Sequence, residues 1–164
     1  MIYIEKGDIT TYDVDAIVNA ANCALSGGGG VDGAIHRAAG KELMEECRKL
    51  KRCPTGTAVM TKGYLLKAKY VIHTAGPVWR GGTANEEELL KSCYTQCMKI
   101  AKGNNFSSIA FPSISTGAYR FPLDKACIIA MNTIKEEMLT PESLKDVYIV
   151  CFDDKTLKAY EKQI

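Results

Sequence analysis

Apolar and polar residues alternate from Met1 to Glu5, the period of a half-buried β-strand. Ala16–Val18 is a short apolar run closed by Asn19. Thr57–Thr61 and Tyr70–Thr74 read as two further strands, the second ended by Gly76-Pro77. Ile109–Phe111 and Val147–Phe152 complete the strands. Between them the pattern turns helical. One helical segment opens around Val31 and continues toward Leu50, with a break expected at Gly40. Another runs from about Asn85 to Ala101 and opens on Glu86, Glu87 and Glu88, whose charges suit the positive end of a helix. A third follows Pro122, a residue suited to a first helical turn, and reaches about Met138; the last starts near Asp154. Strands alternating with helices predict an α/β layered domain, with helices on both sides of a largely parallel sheet.

Such sheets bind ligands beyond the carboxyl ends of their strands. The unusual residues of this chain follow strands. Asn19-Ala20-Ala21-Asn22 and a run of four glycines come after the second strand, Gly76-Pro77 after a middle one, Ser113–Tyr119 after Ile109–Phe111, and Phe152-Asp153 at the last. A site is therefore expected where these loops gather.

Composition narrows the class. A chain of 164 residues, 46% hydrophobic and 24% charged, is expected to form one globular domain. A chain of this size buries roughly 70% of the surface its unfolded form exposes. No apolar run approaches the roughly 18 residues of a membrane span, so no membrane association is expected. The start MIYIEKGDIT lacks the basic and apolar regions of a signal peptide, which favours the cytoplasm. A net charge of +2 is too slight to make nucleic acid the main ligand, and Arg48–Arg52 (RKLKR) reads as a solvated helix end. The seven cysteines are odd in number and include no C-x-x-C, and only His36 and His73 are available beside them. A zinc site is not expected on that supply; the cysteines read as small buried apolar residues in a reducing compartment.

The stretch NCALSGGGGVDGAIHRAAG, Asn22–Gly40, carries the densest signal. Four consecutive glycines cost backbone entropy, so they mark either a slack loop or a place where something lies against the main chain. Gly28, Gly30 and Gly33 spell G-x-G-x-x-G, but about nine residues separate Gly28 from the strand end, and the acidic residue about twenty positions on would have to be Glu45 or Glu46, inside a helix and not at a strand end. That argues against a nicotinamide dinucleotide fingerprint, and the missing Gly-Lys-Ser/Thr excludes a triphosphatase phosphate loop. The underlying physics still holds, because glycines ahead of a helix let backbone N–H groups approach an anion. Ser113–Tyr119 (SISTGAY) is a second small-residue loop between a strand and a helix. Two such loops on one sheet edge could grip a diphosphate from both sides.

Asp32 and His36 stand at i and i+4 on one helix face. They read either as a first-turn aspartate beside a half-buried histidine or as a reactive pair. Asn19 and Asn22 flank two alanines in what reads as a loop. Their amides serve either turn geometry or the hydroxyls of a sugar. Spacing leaves both choices open.

Taken together, several segments resemble the macrodomain family, in its MacroD-type branch of ADP-ribose-binding hydrolases. They are Gly7-Asp8-Ile9-Thr10, NAAN at Asn19–Asn22, GGGGVDGAIHRAAG at Gly27–Gly40, Pro54-Thr55-Gly56, YVIHTAGP at Tyr70–Pro77, PSISTG at Pro112–Gly117, Tyr119, Phe121-Pro122 and Phe152. They occur in family order across nearly the whole chain.

The resemblance implies a three-layer α/β/α fold with a mixed, largely parallel sheet and an ADP-ribose cleft at its crest. It implies that Asp8 accepts from the adenine amino group with Ile9 beside it, and that Phe152 stacks on the adenine. It further implies that Gly29, Gly30, Val31 and Gly33, with Ser115, Thr116, Gly117, Ala118 and Tyr119, enclose the diphosphate and distal ribose. Asn19 belongs to the same ligand set. Asn22 would contact the distal ribose, Asp32 would orient or activate the attacking water, and His36 would support it. The implied reaction is hydrolysis of an ester between the distal ribose and a carboxylate. Its substrates would be O-acetyl-ADP-ribose and proteins mono-ADP-ribosylated on aspartate or glutamate, acted on by a monomer without metal or cofactor. The family branch that uses a lysine adduct is set aside, because no lysine lies between Gly27 and Gly40. The alternative function is a reader that binds ADP-ribosylated proteins without turnover.

Overall fold

A computed structural model describes residues 1–140 and 143–164. It contains a six-stranded sheet of β1 (Ile2–Lys6), β2 (Ala16–Ala21), β3 (Ala58–Lys62), β4 (Tyr70–Ala75), β5 (Ser108–Phe111) and β6 (Asp146–Cys151). The spatial order is β1-β6-β5-β2-β4-β3, parallel throughout except for the antiparallel edge strand β3. The helices are α1 (Gly30–Ala39), α2 (Lys41–Leu50), α3 (Glu86–Gly103), α4 (Leu123–Glu137) and α5 (Asp154–Glu161), with a short 3-10 turn at Ile9–Thr11. The fold is thus the three-layer α/β/α sandwich with a mixed, mostly parallel sheet.

Strand parity distributes the core. Ala16 and Val18 face one way with Ile72, Ile109 and Ile149, and there they meet the buried faces of α3 and α4 and Tyr160 of α5. Ile17 and Ala21 face the other way with Val71, Ala75 and Ala110, and meet Ile35 and Ala39 of α1 and Leu43 and Cys47 of α2. Successive strand side chains point to opposite faces, so a sheet covered on both sides needs apolar residues at nearly every position. Each fully buried Ile or Phe in these layers stabilises the fold by about 1.5–3 kcal/mol.

The break expected at Gly40 is present: its φ is +89°, and α1 ends there as the Gly40 N–H bonds the His36 carbonyl at 3.2 Å. Several ends shift by one or two residues, and the end of β2 differs most. β2 does not close at Asn19 but continues through Ala20 and Ala21, pairing Asn19 with His73 of β4 and Ala21 with Ala75. Asparagine has a weak strand preference, and the pairing of a central strand overrides it.

Candidate functional site

A cleft of about 720 Å³ crosses the carboxyl ends of β1, β6, β5 and β2. Asp8 and Phe152, just past β1 and β6, stand at one end, linked through the Gly7 N–H bond to the Cys151 carbonyl at 2.9 Å. Phe152 is 78% exposed, an aromatic face left open at the cleft rim. Asp8 caps the 3-10 turn: its Oδ1 accepts from the Thr10 N–H at 2.9 Å and the Thr10 hydroxyl at 2.7 Å. Ile9 lines the same end.

The loop after β5 forms one wall from Ser115 through Tyr119. It is held from below by buried tyrosines, since the Tyr94 hydroxyl accepts from the Ile114 N–H at 3.2 Å and the Tyr160 hydroxyl lies 2.9 Å from Ser113 Oγ. Ser115 has φ +67°, and its buried hydroxyl has no hydrogen-bond partner among the described residues. A Cβ on Gly76 would fall 2.2 Å from that hydroxyl, so Gly76 is required by the close approach of the two loops.

Gly28, Gly29, Gly30 and Val31 form the facing wall with Asn22 and Asp32. Asn22 shapes this loop: its Nδ2 donates to the Gly27 carbonyl at 2.9 Å and its Oδ1 accepts from the Ser26 N–H at 3.1 Å. A Cβ on Gly29, Gly30 or Gly117 would meet no atom of the described residues within 4 Å beyond its own chain neighbours and helix backbone. Glycine at these places leaves free space beside main chain in the cleft.

Asp32 lies in the first turn of α1, 6% exposed. Its Oδ1 accepts from Asn19 Nδ2 at 2.8 Å and sits 3.3 Å from His36 Nε2. Its Oδ2 has no hydrogen-bond partner among the described residues and lies on the side of Gly28, whose Cβ position is 3.4 Å away. One oxygen is therefore anchored and the other is available toward the cleft.

Beneath Asp32 runs a buried polar chain. The second Asn19 amide proton points to His73 Nδ1 at 3.1 Å, and His73 Nε2 is 2.9 Å from the Thr61 hydroxyl, which reaches the Lys62 carbonyl at 3.2 Å. Because the amide nitrogen can only donate, Nδ1 of His73 accepts and the ring proton resides on Nε2. Burial, with a smaller contribution from His36, holds His73 down to about 3, so it is a neutral imidazole at ordinary pH. Cys47, 3.9 Å from the same ring, is no thiolate either, since burial first and then the Asp32 charge push it up to about 11.

This arrangement departs from the sequence reading at two residues, Asn19 and Gly33. Asn19 is fully buried and its amide is committed to Asp32 and His73, so it lies under the cleft and not against a ligand. Its strand position turns it inward with Ile17 and Ala21. Gly33 is buried beneath the glycine loop, where a Cβ would meet the Gly28 carbonyl oxygen at 2.5 Å. His36, expected in a supporting role, stands behind Asp32 with Nε2 3.3 Å from Oδ1, outside the cleft lining. His73 and Thr61 escaped the sequence reading as site residues. The available signal was parity, which puts His73 on the same sheet face as Val71 and Ala75.

The Macro domain family model matches residues 18–130. The chain belongs to that family. Among similar proteins, the O-acetyl-ADP-ribose deacetylase of Citrobacter rodentium is 52% identical over 165 residues, covering 98% of this chain and 93% of the relative. A macrodomain of Oceanobacillus iheyensis, in a mutant form with ADPR, matches with a TM-score of 0.92 at 41% identity, covering 98% of this chain and 89% of that one. The macrodomain of Trypanosoma brucei in complex with ADP-ribose has a TM-score of 0.92 at 41% identity, covering 99% of this chain and 68% of that one.

The buried chain makes this macrodomain acid-sensitive in a defined window. Unfolded, His73 takes up a proton near its ordinary value of 6.5; folded, it does so only near 3. Below 6.5 the unfolded state thus binds the extra proton, and stability falls with pH at a slope approaching about 1.4 kcal/mol per unit. Glu86 enters lower. Burial opposes its charge, but the N–H groups of Arg80, Gly82 and Ala84 outweigh that and bring its carboxyl from 4.5 to about 2. Its contribution is complete above 4.5 and is lost as pH falls toward 2. Urea unfolding between about pH 7 and about pH 5 is expected to show the slope in wild type and a flatter profile in His73→Gln. Parallel profiles would contradict the assignment.

Proposed function

We propose that this macrodomain binds ADP-ribose along the cleft and hydrolyses acyl esters on its distal ribose. The substrates are O-acetyl-ADP-ribose and proteins mono-ADP-ribosylated on aspartate or glutamate. The observation that carries the reading is Asp32, with Oδ1 anchored by Asn19 and Oδ2 open beside the glycine loop. The deacetylase relative and the ADP-ribose-bound neighbour support it. Asp8 and Phe152 hold the adenine, the glycine loop and Ser115–Tyr119 hold the diphosphate, and Asn22 holds the distal ribose.

In the deacetylation, Oδ2 of Asp32 orients and activates a water. The water oxygen bonds the acyl carbon, the acyl C–O bond to the ribose breaks, and the ribose oxygen keeps a proton from that water. The other proton leaves as the released acid ionises. Asn19 and His36 position Asp32 without touching substrate.

The decisive assay follows acetate release from O-acetyl-ADP-ribose and ADP-ribose release from a glutamate-modified protein. Turnover of either supports a hydrolase. Tight ADP-ribose binding without release from either makes the protein a reader.

The adenine end has its own test. Phe152→Ala is expected to weaken ADP-ribose binding by about 1–3 kcal/mol, the usual value of a base stacked on an aromatic ring. The melting temperature should stay unchanged, because the side chain is exposed and supports no core. Unaltered affinity by calorimetry would remove Phe152 from the site.

A further inference from the structure

The cleft follows the sheet order, with Phe152 at β6, Ser115–Tyr119 at β5, and Asn22 with the glycine loop at β2. The next strand in that order is β4, and at its carboxyl end lies a second cavity of about 240 Å³. Gly76 and Tyr119 belong to the walls of both cavities, and Cys23, the neighbour of Asn22, lines the second. The second cavity therefore adjoins the cleft at Gly76 and Tyr119, on the side away from Phe152. Its volume equals that of on the order of eight water molecules, well beyond what an acetyl group needs.

Its charge is also informative. Arg80 is the one cation in the wall and Glu86 the one anion. The Glu86 carboxylate is already occupied, accepting from the N–H groups of Arg80 at 2.8 Å, Gly82 at 2.9 Å and Ala84 at 2.6 Å. Among the described residues no carboxylate oxygen lies within 4.0 Å of the Arg80 guanidinium. The wall thus includes an exposed arginine that pairs with no carboxylate among the described residues, beside a glutamate whose carboxylate is held by backbone N–H groups.

We propose that this cavity is an acyl-group subsite that takes chains longer than acetyl, and that Arg80 holds the distal carboxylate of a dicarboxylic acyl group. The inference rests on the ester-hydrolase reading, and the chemistry is the same hydrolysis: one water consumed, the ribose hydroxyl and the free acid released. It adds a substrate class, monoesters of four- to five-carbon dicarboxylic acids on ADP-ribose.

The test compares kcat/KM for O-acetyl-, O-butyryl- and O-succinyl-ADP-ribose in wild type, Ala84→Trp and Arg80→Gln. Ala84 and Arg80 both line the second cavity and are exposed, and both changes leave the backbone bonds to Glu86 in place. Wild type is expected to favour the succinyl over the acetyl ester by at least about tenfold, with butyryl between them. Ala84→Trp should erase the advantage of both longer esters while acetyl turnover stays unchanged. Arg80→Gln should bring succinyl down to the level of butyryl, and it decides the matter should Ala84→Trp disturb the acetyl reaction as well. Equal rates for the three esters, or a preference that survives both variants, would overturn the subsite. If no ester is turned over, the hydrolase reading falls first. Calorimetry then still reads the cavity, with the succinyl ester expected to bind at least about tenfold tighter than ADP-ribose in wild type but not in Arg80→Gln; equal affinities would overturn it.

Discussion

Asp32→Ala is expected to lower kcat for ester hydrolysis by about 10²- to 10⁴-fold, the usual range for a positioned acid–base group, while ADP-ribose affinity changes only a few-fold. The physical reason is the division of its two oxygens. Oδ1 is held by Asn19 at 2.8 Å, so the carboxylate has a defined orientation, and Oδ2 faces the cleft. Removing the carboxylate also leaves one of the two buried Asn19 amide protons without its acceptor, which costs about 1–3 kcal/mol of stability. Asp32→Asn separates the two effects. Its amide oxygen can still accept from Asn19, while an NH₂ group replaces the oxygen that orients water. Both variants should bind and fail to turn over, with Asp32→Asn the more stable. Measured turnover near wild type in Asp32→Asn would place the chemistry elsewhere.

Gly33→Ala is the second large effect, and it arises from main chain. A methyl group there would lie 2.5 Å from the Gly28 carbonyl oxygen and 3.1 Å from Arg37 Nη1. Arg37 can swing away, but a backbone carbonyl moves only with its loop. Overpacking of this kind costs about 1–3 kcal/mol, a fall in melting temperature of about 2–4 °C per kcal/mol for a chain of this size. The displaced segment is the Gly28–Gly30 wall itself, so ADP-ribose binding and turnover should fall together. A larger residue such as glutamate acts by the same displacement and not by filling the cleft, because Gly33 lies below the loop. Wild-type melting and affinity in Gly33→Ala would show that the loop adapts freely.

The alternation of strand and helix, the break at Gly40, and the gathering of the Asn22, glycine, SISTGAY and Phe152 segments at one sheet edge were all legible in the chain. Each depends on local chemistry: the period of apolar residues, a glycine at positive φ, small residues next to strand ends. The same local view misplaced Asn19, because asparagine beside alanines and glycines reads as turn. The ladder to His73 in β4, 54 residues away, instead draws it into the sheet.

The α/β class, the sheet edge where the unusual loops gather, and most of the residues lining the cleft there follow from the order of residues in the chain. Apolar period and backbone conformation are properties of neighbours in the chain. Packing across the sheet places Asn19, His73 and Thr61 in a buried chain under Asp32, leaves one Asp32 carboxylate oxygen without a partner among the described residues, and sets a second cavity beside the cleft near β4. Those depend on which strands pair and which face each side chain takes, and a one-residue change of register would turn Asn19 and His73 to the opposite side of the sheet.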